Sequence, residues 1–419
     1  MKILLASIGT RGDIEPFLAL AEILEDRGHD IVLLLPAQLT FLVCAHLKTI
    51  PLTEKFLDLL ESQEGRDIMG GDISFFKKIM RYFQLFKMSR EVNVLLFRQQ
   101  YDCIMTENPD IIIHHPKCLY PLISRLSHNK KNIMVSPVPY FVHKVDNHPQ
   151  LGMGRPQFKI WNRWTYSVGN FAISKMVKSL QSTLHLGLNL SYGQINKALL
   201  TTPMVYLVSP VLFQGDLTWP SHVKILGYHE RQKNIDWVPE DDLLRFLALH
   251  DKIVLLTFGS MVNPNPKEVS VLLYNVFDEL KIPVIVNTAS GGLITVEEYT
   301  KKDRFYFTQQ IPYDWILDKV YGVVHHGGSG TTHSCVKYGC VSLVVPHIID
   351  QFVWSDILNK KGLAPKGVAI KDIDHSKFKI SLADMYNNPD YKTSVIQASQ
   401  DMNNENFQDE LYEFLTKDI

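Results

Sequence analysis

Short runs of apolar residues recur along this chain, and most of them hand over to a turn and then a helical stretch. They fall at 3–7, 31–35, 111–113, 133–135, 205–208, 253–258, 284–286, 305–307, 322–324 and 342–345. A strand that is apolar at every position is buried on both faces, which is the pattern of a parallel sheet covered by helices. The opening unit shows it plainly. After the first run comes turn chemistry at Gly9, Thr10, Arg11, Gly12 and Asp13. Pro16 then suits the first turn of a helix carrying Phe17, Leu20, Ala21 and Leu24 on one face, closed by Gly28. A second series begins at 253–258, ends its first strand at Gly259, Ser260 and Met261, and predicts a helix over 269–280. Two such series predict an α/β fold with two Rossmann-like sheets, whose ligands bind at the carboxyl ends of the strands.

A length of 419 residues suits two domains of roughly 200 residues better than one core. We expect a first domain over 1–228, a linker over 229–239, a second domain over 240–395, and a terminal helix over 396–419 that returns to the first. Hydrophobic residues make up 46 % and charged residues 21 %, an ordinary globular composition. The formal net charge of −1 argues against nucleic acid as the main partner. Cys44, Cys103, Cys118, Cys335 and Cys340 form no C-x-x-C pair, so reduced thiols in a cytoplasmic protein are expected. No run approaches the ~18–20 apolar residues that span a bilayer. The stretch 74–99, rich in Phe, Leu, Met, Lys and Arg, reads as an amphipathic helix packed on the domain, or else as the wall of an apolar acceptor pocket or a membrane-facing surface.

The most informative stretch is 323–339. An apolar strand runs through His325 and His326 into Gly327, Gly328, Ser329 and Gly330, and the turn opens a helix at Thr331, Thr332 and His333. Glycines let a backbone approach a diphosphate closely, and the free N–H groups of a helix start favour an anion. Ser329, Thr331 and Thr332 add hydroxyls, and His325 can donate to a phosphate oxygen. The loop is neither a Walker A sequence nor a full G-x-G-x-x-G fingerprint, so taken alone it also reads as a tight βα turn. After Val345, Pro346 and His347, the neighbours Asp350 and Gln351 supply a carboxylate and an amide suited to vicinal sugar hydroxyls. Alternatively, Asp350 caps the helix that follows. Asp372 and Asp374 mimic a metal-binding D-x-D pair, but they follow the glycine loop and read as a cap for a helix starting at His375.

The stretch 310–359 resembles the donor-binding signature of the UDP-glycosyltransferase superfamily, in particular its sterol glucosyltransferase and bacterial antibiotic glycosyltransferase branch. That resemblance implies a GT-B fold, two Rossmann-like domains facing each other across a cleft. It also implies that His325 contacts the diphosphate with Gly327, Gly328, Ser329, Gly330 and Thr331 around it, while Asp350 and Gln351 hold the donor sugar. Gln310 and Ile311 resemble the segment whose backbone reads the uracil, and Gly259 and Ser260 match a second phosphate-side loop. Gly9-Thr10-Arg11-Gly12-Asp13 is similar to the branch's N-terminal motif, which implies that Asp13 is the general base and puts Gly12 beside the donor. The bare alternative is that Asp13 caps the first helix. Tyr140, His143 and His148 fall where the sterol branch has an acceptor loop.

Together these imply an inverting hexosyl transfer from a UDP-sugar, most simply UDP-glucose, to a hydroxyl of a hydrophobic small molecule such as a sterol, terpenoid or polyketide. The UDP-sugar is a co-substrate, and no cofactor or metal is expected. Peripheral membrane contact stays open, as does the choice between monomer and homodimer. The competing classes are a sugar-nucleotide epimerase or hydrolase, which would consume UDP-sugar without an acceptor, and a non-catalytic lipid- or metabolite-binding protein on the same scaffold.

Overall fold

A computed structural model of the chain describes residues 1–61, 75–154, 156–231, 237–259, 261, 263, 265–289 and 291–417, without the side chains of 60–61 and 75–88. The chain divides into two compact units. The first holds the described residues up to 231 and again from 406, and the second holds those from 237 to 405.

The first unit runs β1 (Lys2–Ala6), α1 (Arg11–Glu25), β2 (Asp30–Pro36), β3 (Lys48–Leu52), α2 (Lys55–Glu61), α3 (Phe75–Glu107), β4 (Ile111–His114), α4 (Leu119–His128) and β5 (Lys131–Ser136). It continues through α5 (Lys159–Thr183), α6 (Tyr192–Thr201), β6 (Met204–Tyr206) and β7 (Val223–Ile225). Its seven strands are all parallel in the order β3-β2-β1-β4-β5-β6-β7, with Leu4 of β1 level with Val32 on one side and Ile112 on the other. Ile3, Leu5, Leu33, Ile113 and Val135 pack with Phe17, Leu20 and Leu24 of α1 in one core. That is the two-faced burial expected of a strand without polar alternation.

The second unit runs α7 (Asp241–Leu249), β8 (Val254–Thr257), α8 (Pro266–Glu279), β9 (Val284–Asn287), α9 (Glu297–Thr300), β10 (Phe305–Thr308), α10 (Tyr313–Ile316), β11 (Gly322–His325) and α11 (Ser329–Lys337). It ends with β12 (Val341–Val344), α12 (Ile349–Lys360), α13 (His375–Asn387) and α14 (Pro389–Asn403). Its five parallel strands take the order β10-β9-β8-β11-β12. Helix α14 stays with this unit because its Val395, Ala398 and Met402 are buried, and Ser399 Oγ donates to the Lys337 carbonyl closing α11. Helix α15 (Gln408–Thr416) belongs to the first unit, with Leu411 and Leu415 fully buried in the core that holds α1. Both sheets with their covering helices are Rossmann-like.

Three details differ from the sequence reading. Helix α1 begins at Arg11, so Pro16 lies inside the helix and not in its first turn. Helix α8 begins at Pro266, three residues early, because proline is tolerated at a first helical position where its missing N–H is not needed. The short strands β3 and β7 carry Lys48 and Lys224 at the two sheet edges, where the burial that marks an apolar run is lost. The membrane-facing reading of 74–99 rests mostly on side chains outside the described residues. Among the described residues, no helix is long and apolar enough to cross a membrane.

Candidate active site

In a parallel sheet that winds outward both ways from one strand, the loops at the point of reversal diverge and leave a crevice at the carboxyl ends. The first sheet reverses between β1 and β4, and the second between β8 and β11. Each unit places one part of the candidate site at its own reversal point.

In the first unit, Asp13 sits in the opening turn of α1. Its Oδ2 accepts the Thr10 backbone N–H at 2.9 Å, satisfying a donor at the helix start. Capping is therefore part of its role, from the third helical position rather than the cap itself. Its Oδ1 accepts from Lys117 Nζ at 2.8 Å, and His115 Nε2 lies 3.3 Å from the same oxygen. Both partners come from the loop after β4. The Lys117 backbone N–H donates to His115 Nδ1 at 3.0 Å, which puts the imidazole proton on the nitrogen facing Asp13. Burial alone would raise the Asp13 carboxyl, but the Lys117 charge, followed by His115, holds it far below the usual carboxylate range. Burial pushes His115 down, so it is a neutral donor. Gly9 makes room for this arrangement: at φ +143°, a Cβ there would stand 1.9 Å from Asp13 Oδ2. Gly12 lies exposed in the same first turn.

His115 and Lys117 were missed by the sequence reading. The available signal was a polar His-His-Pro-Lys run directly after an apolar strand, which gains meaning only once β4 is placed beside β1.

In the second unit, His325 ends β11 level with Thr257 of β8 and Val344 of β12. Gly327 N–H donates to His325 Nδ1 at 3.1 Å, which leaves the proton on Nε2. That Nε2 is buried and has no hydrogen-bond partner among the described residues. Burial pushes the ring down to about 3, so it is a neutral donor wherever the protein is folded. Gly327 (φ +92°) lets the turn close, since a Cβ there would stand 2.6 Å from Val344 Cγ1. Gly328 is the N-cap of α11, and Ser329, Gly330 and Thr331 form its first turn. Thr332 Oγ1 is likewise buried with no hydrogen-bond partner among the described residues. Gly259 (φ +57°) follows β8 with His326 packed against it. Ser260, expected beside it, lies outside the described residues.

Asp350 and Gln351 open α12. Gln351 is buried, and its Oε1 accepts the backbone N–H groups of His347 at 2.7 Å and Ile348 at 3.1 Å. Gln351 therefore takes part in capping this helix. Ile311 is buried in the core of this unit, and Gln310 is exposed before it. Asp374 accepts the Lys377 N–H and caps α13, as its spacing suggested. Among the described residues, no cluster of three or more His, Cys, Asp or Glu is placed to hold a metal ion.

Tyr140, His143 and His148 lie in the loop after β5, and all three are buried. Tyr140 stacks on His148 at 4.1 Å and meets Phe213 edge-on, while His143 lies 5.8 Å from Trp219. Burial, then the neighbouring His222, pushes His143 down to about 4. The structure thus gathers the three into one aromatic cluster of the first unit.

Two family models match this chain. Residues 3–105, with Asp13, match the glycosyltransferase family 28 N-terminal domain. Residues 302–416, with the glycine turn and Asp350, match the erythromycin biosynthesis protein CIII-like, C-terminal domain. A sterol 3-beta-glucosyltransferase of Arabidopsis thaliana, UGT80B1, is 24 % identical over 97 % of this chain. The chain belongs to the GT-B glycosyltransferase superfamily. It spans at most 66 % of the length of the first curated relatives it matches. Among solved GT-B structures, the calicheamicin glycosyltransferase CalG4 superposes with a TM-score of 0.71 at 13 % identity, covering 99 % of this chain and 98 % of that one. The Streptomyces sp. SF2575 glycosyltransferase SsfS6, complexed with thymidine diphosphate, gives 0.63 at 16 % identity over the whole of both chains.

Proposed function

We propose that this GT-B chain is an inverting, metal-independent glycosyltransferase. It moves glucose from UDP-glucose to a hydroxyl of an apolar small molecule, with a sterol-like alcohol as the first choice. The observation that carries the reading is the buried Nε2–H of His325, without a partner among the described residues, at the reversal point of the second sheet and beside the first turn of α11. A buried donor without a partner costs about 1–3 kcal/mol, and a diphosphate oxygen is the acceptor that would relieve it. The choice of glucose and of a sterol-like acceptor is supported by the names of the curated relatives.

In this mechanism the acceptor oxygen bonds to the anomeric carbon as the bond from that carbon to the diphosphate oxygen breaks, and UDP leaves. The acceptor proton passes to Asp13. A carboxylate held this firmly in its ionised form is a weak base, so the proton moves late, after the attacking oxygen has become acidic through its new bond. The turn N–H groups and His325 receive the charge that develops on the leaving phosphate, a role in which a single donor is typically worth 10²–10³ in rate.

The test is a product assay with UDP-glucose and a panel of sterols, run beside calorimetric titration with UDP and TDP. Asp13→Asn should lower transfer by at least about 10²-fold and leave UDP affinity nearly unchanged. Turnover should persist in EDTA. Sugar release from UDP-glucose without any acceptor, at the full rate, would instead identify a hydrolase.

A further inference from the structure

Helix α5 has polar and apolar residues on both of its sides. Beside Tyr166, Val177 and Leu180, its buried side carries Asn162, Thr165, Asn170, Ser174 and Gln181. These are held by internal hydrogen bonds: Asn162 Nδ2 donates to the Asp146 carbonyl at 2.9 Å, Asn170 Nδ2 to the Val142 carbonyl at 3.1 Å, and Gln181 Nε2 to the Leu190 carbonyl at 2.8 Å. Large apolar side chains also face outward. Ile160 is 78 % exposed, Trp164 53 % and Phe171 56 %, and the Trp161 ring lies 5.1 Å from that of Trp164. Tyr192 of α6, 5.9 Å from Phe171, extends the same surface. Residues 160, 164, 171, 175 and 178 recur at the three-, four- and seven-residue steps of one helix face, so Lys175 and Lys178 share it with the aromatic rings. A surface helix normally presents the opposite polarity to solvent.

The charge around this face is one-sided. Between Asp146 and Asp216 the chain carries no acid and six cations: Arg155, Lys159, Arg163, Lys175, Lys178 and Lys197. Asp146 pairs with Lys159 at 2.6 Å and with Arg163 at 2.8 Å. Among the described residues, no acid lies within ion-pair distance of Lys175 or Lys178, and Lys178 Nζ rests 4.5 Å above the Tyr192 ring.

We propose that the outer face of α5 docks on a lipid bilayer surface carrying anionic headgroups. Trp161, Trp164 and Phe171 enter the boundary between headgroups and acyl chains, while Lys175 and Lys178 meet the phosphates. Tryptophan favours that boundary because its ring is apolar and its N–H is polar, and lysine stems extend along the apolar layer with the ammonium in the headgroup zone. A helix with aromatic residues beside cations, and with no acid, has the composition of one lying in the plane of the interface. A second copy of the chain fits less well, since a symmetric contact would set Lys175 and Lys178 against their own equivalents. This surface is distinct from the 74–99 stretch that the sequence suggested.

Flotation of the full chain with vesicles tests the proposal. The native protein should float with phosphatidylcholine vesicles containing phosphatidylglycerol and stay behind with phosphatidylcholine alone. The double variant Trp164→Ala, Phe171→Ala should lose binding by at least about tenfold. Lys175→Glu, Lys178→Glu should abolish it and leave the melting temperature unchanged, because neither lysine supports the core. Failure of the native protein to float, equal flotation on neutral vesicles, or native-like flotation of both double variants would each overturn the proposal. So would a native dimer in sedimentation that the aromatic variant splits into monomers.

Discussion

Replacing Gly9 by alanine is the sharpest probe of the Asp13 arrangement. The new Cβ would stand 1.9 Å from Asp13 Oδ2, where ordinary contact begins near 3.4 Å. The carboxylate must therefore retreat by about 1.5 Å, or the backbone must leave its φ of +143°. Retreat breaks the 2.9 Å bond from the Thr10 N–H and the 2.8 Å pair with Lys117 together. Holding alanine at that φ costs about 1–3 kcal/mol in the fold. A displacement of about 1 Å in a catalytic group costs on the order of 10²-fold in rate, so transfer should fall by at least that much. UDP affinity should hold, since the phosphate-side residues lie in the other unit. Gly28→Ala is the matched control: its φ of +82° carries the same kind of backbone strain, but nothing lies within 4 Å of the added Cβ. Initial rates of sterol glucoside formation, UDP titration and melting curves for both variants complete the experiment. If Gly9→Ala loses only the stability that Gly28→Ala loses and keeps its rate, the position of Asp13 is not what the chemistry depends on.

Two further outcomes follow from other contacts. Lys117→Met removes the charge that most lowers the Asp13 carboxyl, so that group should rise toward the ordinary carboxylate range, by less than a buried pair would give because Lys117 is 37 % exposed and water screens it. The sign is that of a depressed carboxyl: the pair stabilises the fold above the ordinary carboxylate range and is lost only as pH falls through the far lower folded value. The acid limb of the kcat/KM profile should therefore lie at higher pH in the variant than in the native protein, and superimposable profiles would refute the role given to Lys117. Gln351→Ala should destabilise the second unit by about 2 kcal/mol, because two buried N–H groups lose their acceptor, whereas Gln351→Glu keeps that acceptor and should melt near the native temperature.

Much of the fold could be read from the residues because burial on both faces leaves a run such as 111–113 no polar position to confuse the pattern. The edge strands of the first sheet, β3 and β7, escaped for the same reason in reverse: β7 is three residues with Lys224 in the middle. The glycine turn was legible because each glycine answers a local demand, as Gly327 does by its φ and its closeness to Val344. His115 and Lys117 were not, since only the pairing of β1 with β4 brings them to Asp13 across about a hundred residues of chain. Helix α5 shows a different limit. Its periodicity was visible, but periodicity does not say which side faces inward, and here Asn170 and its partners share the inner side with Tyr166, Val177 and Leu180.

The late return of α15 to the first unit bears on how the chain is made. Leu411 and Leu415 complete a core whose other members, from Ile3 to Leu226, leave the ribosome well before them. The amino-terminal half can therefore collapse early yet must wait, with a groove of apolar side chains uncovered beside α1, until the second sheet has been synthesised and this last helix arrives. During that interval a nascent-chain binder would find its natural target there, and a chain truncated near residue 405 would carry a complete second unit and an unsealed first one.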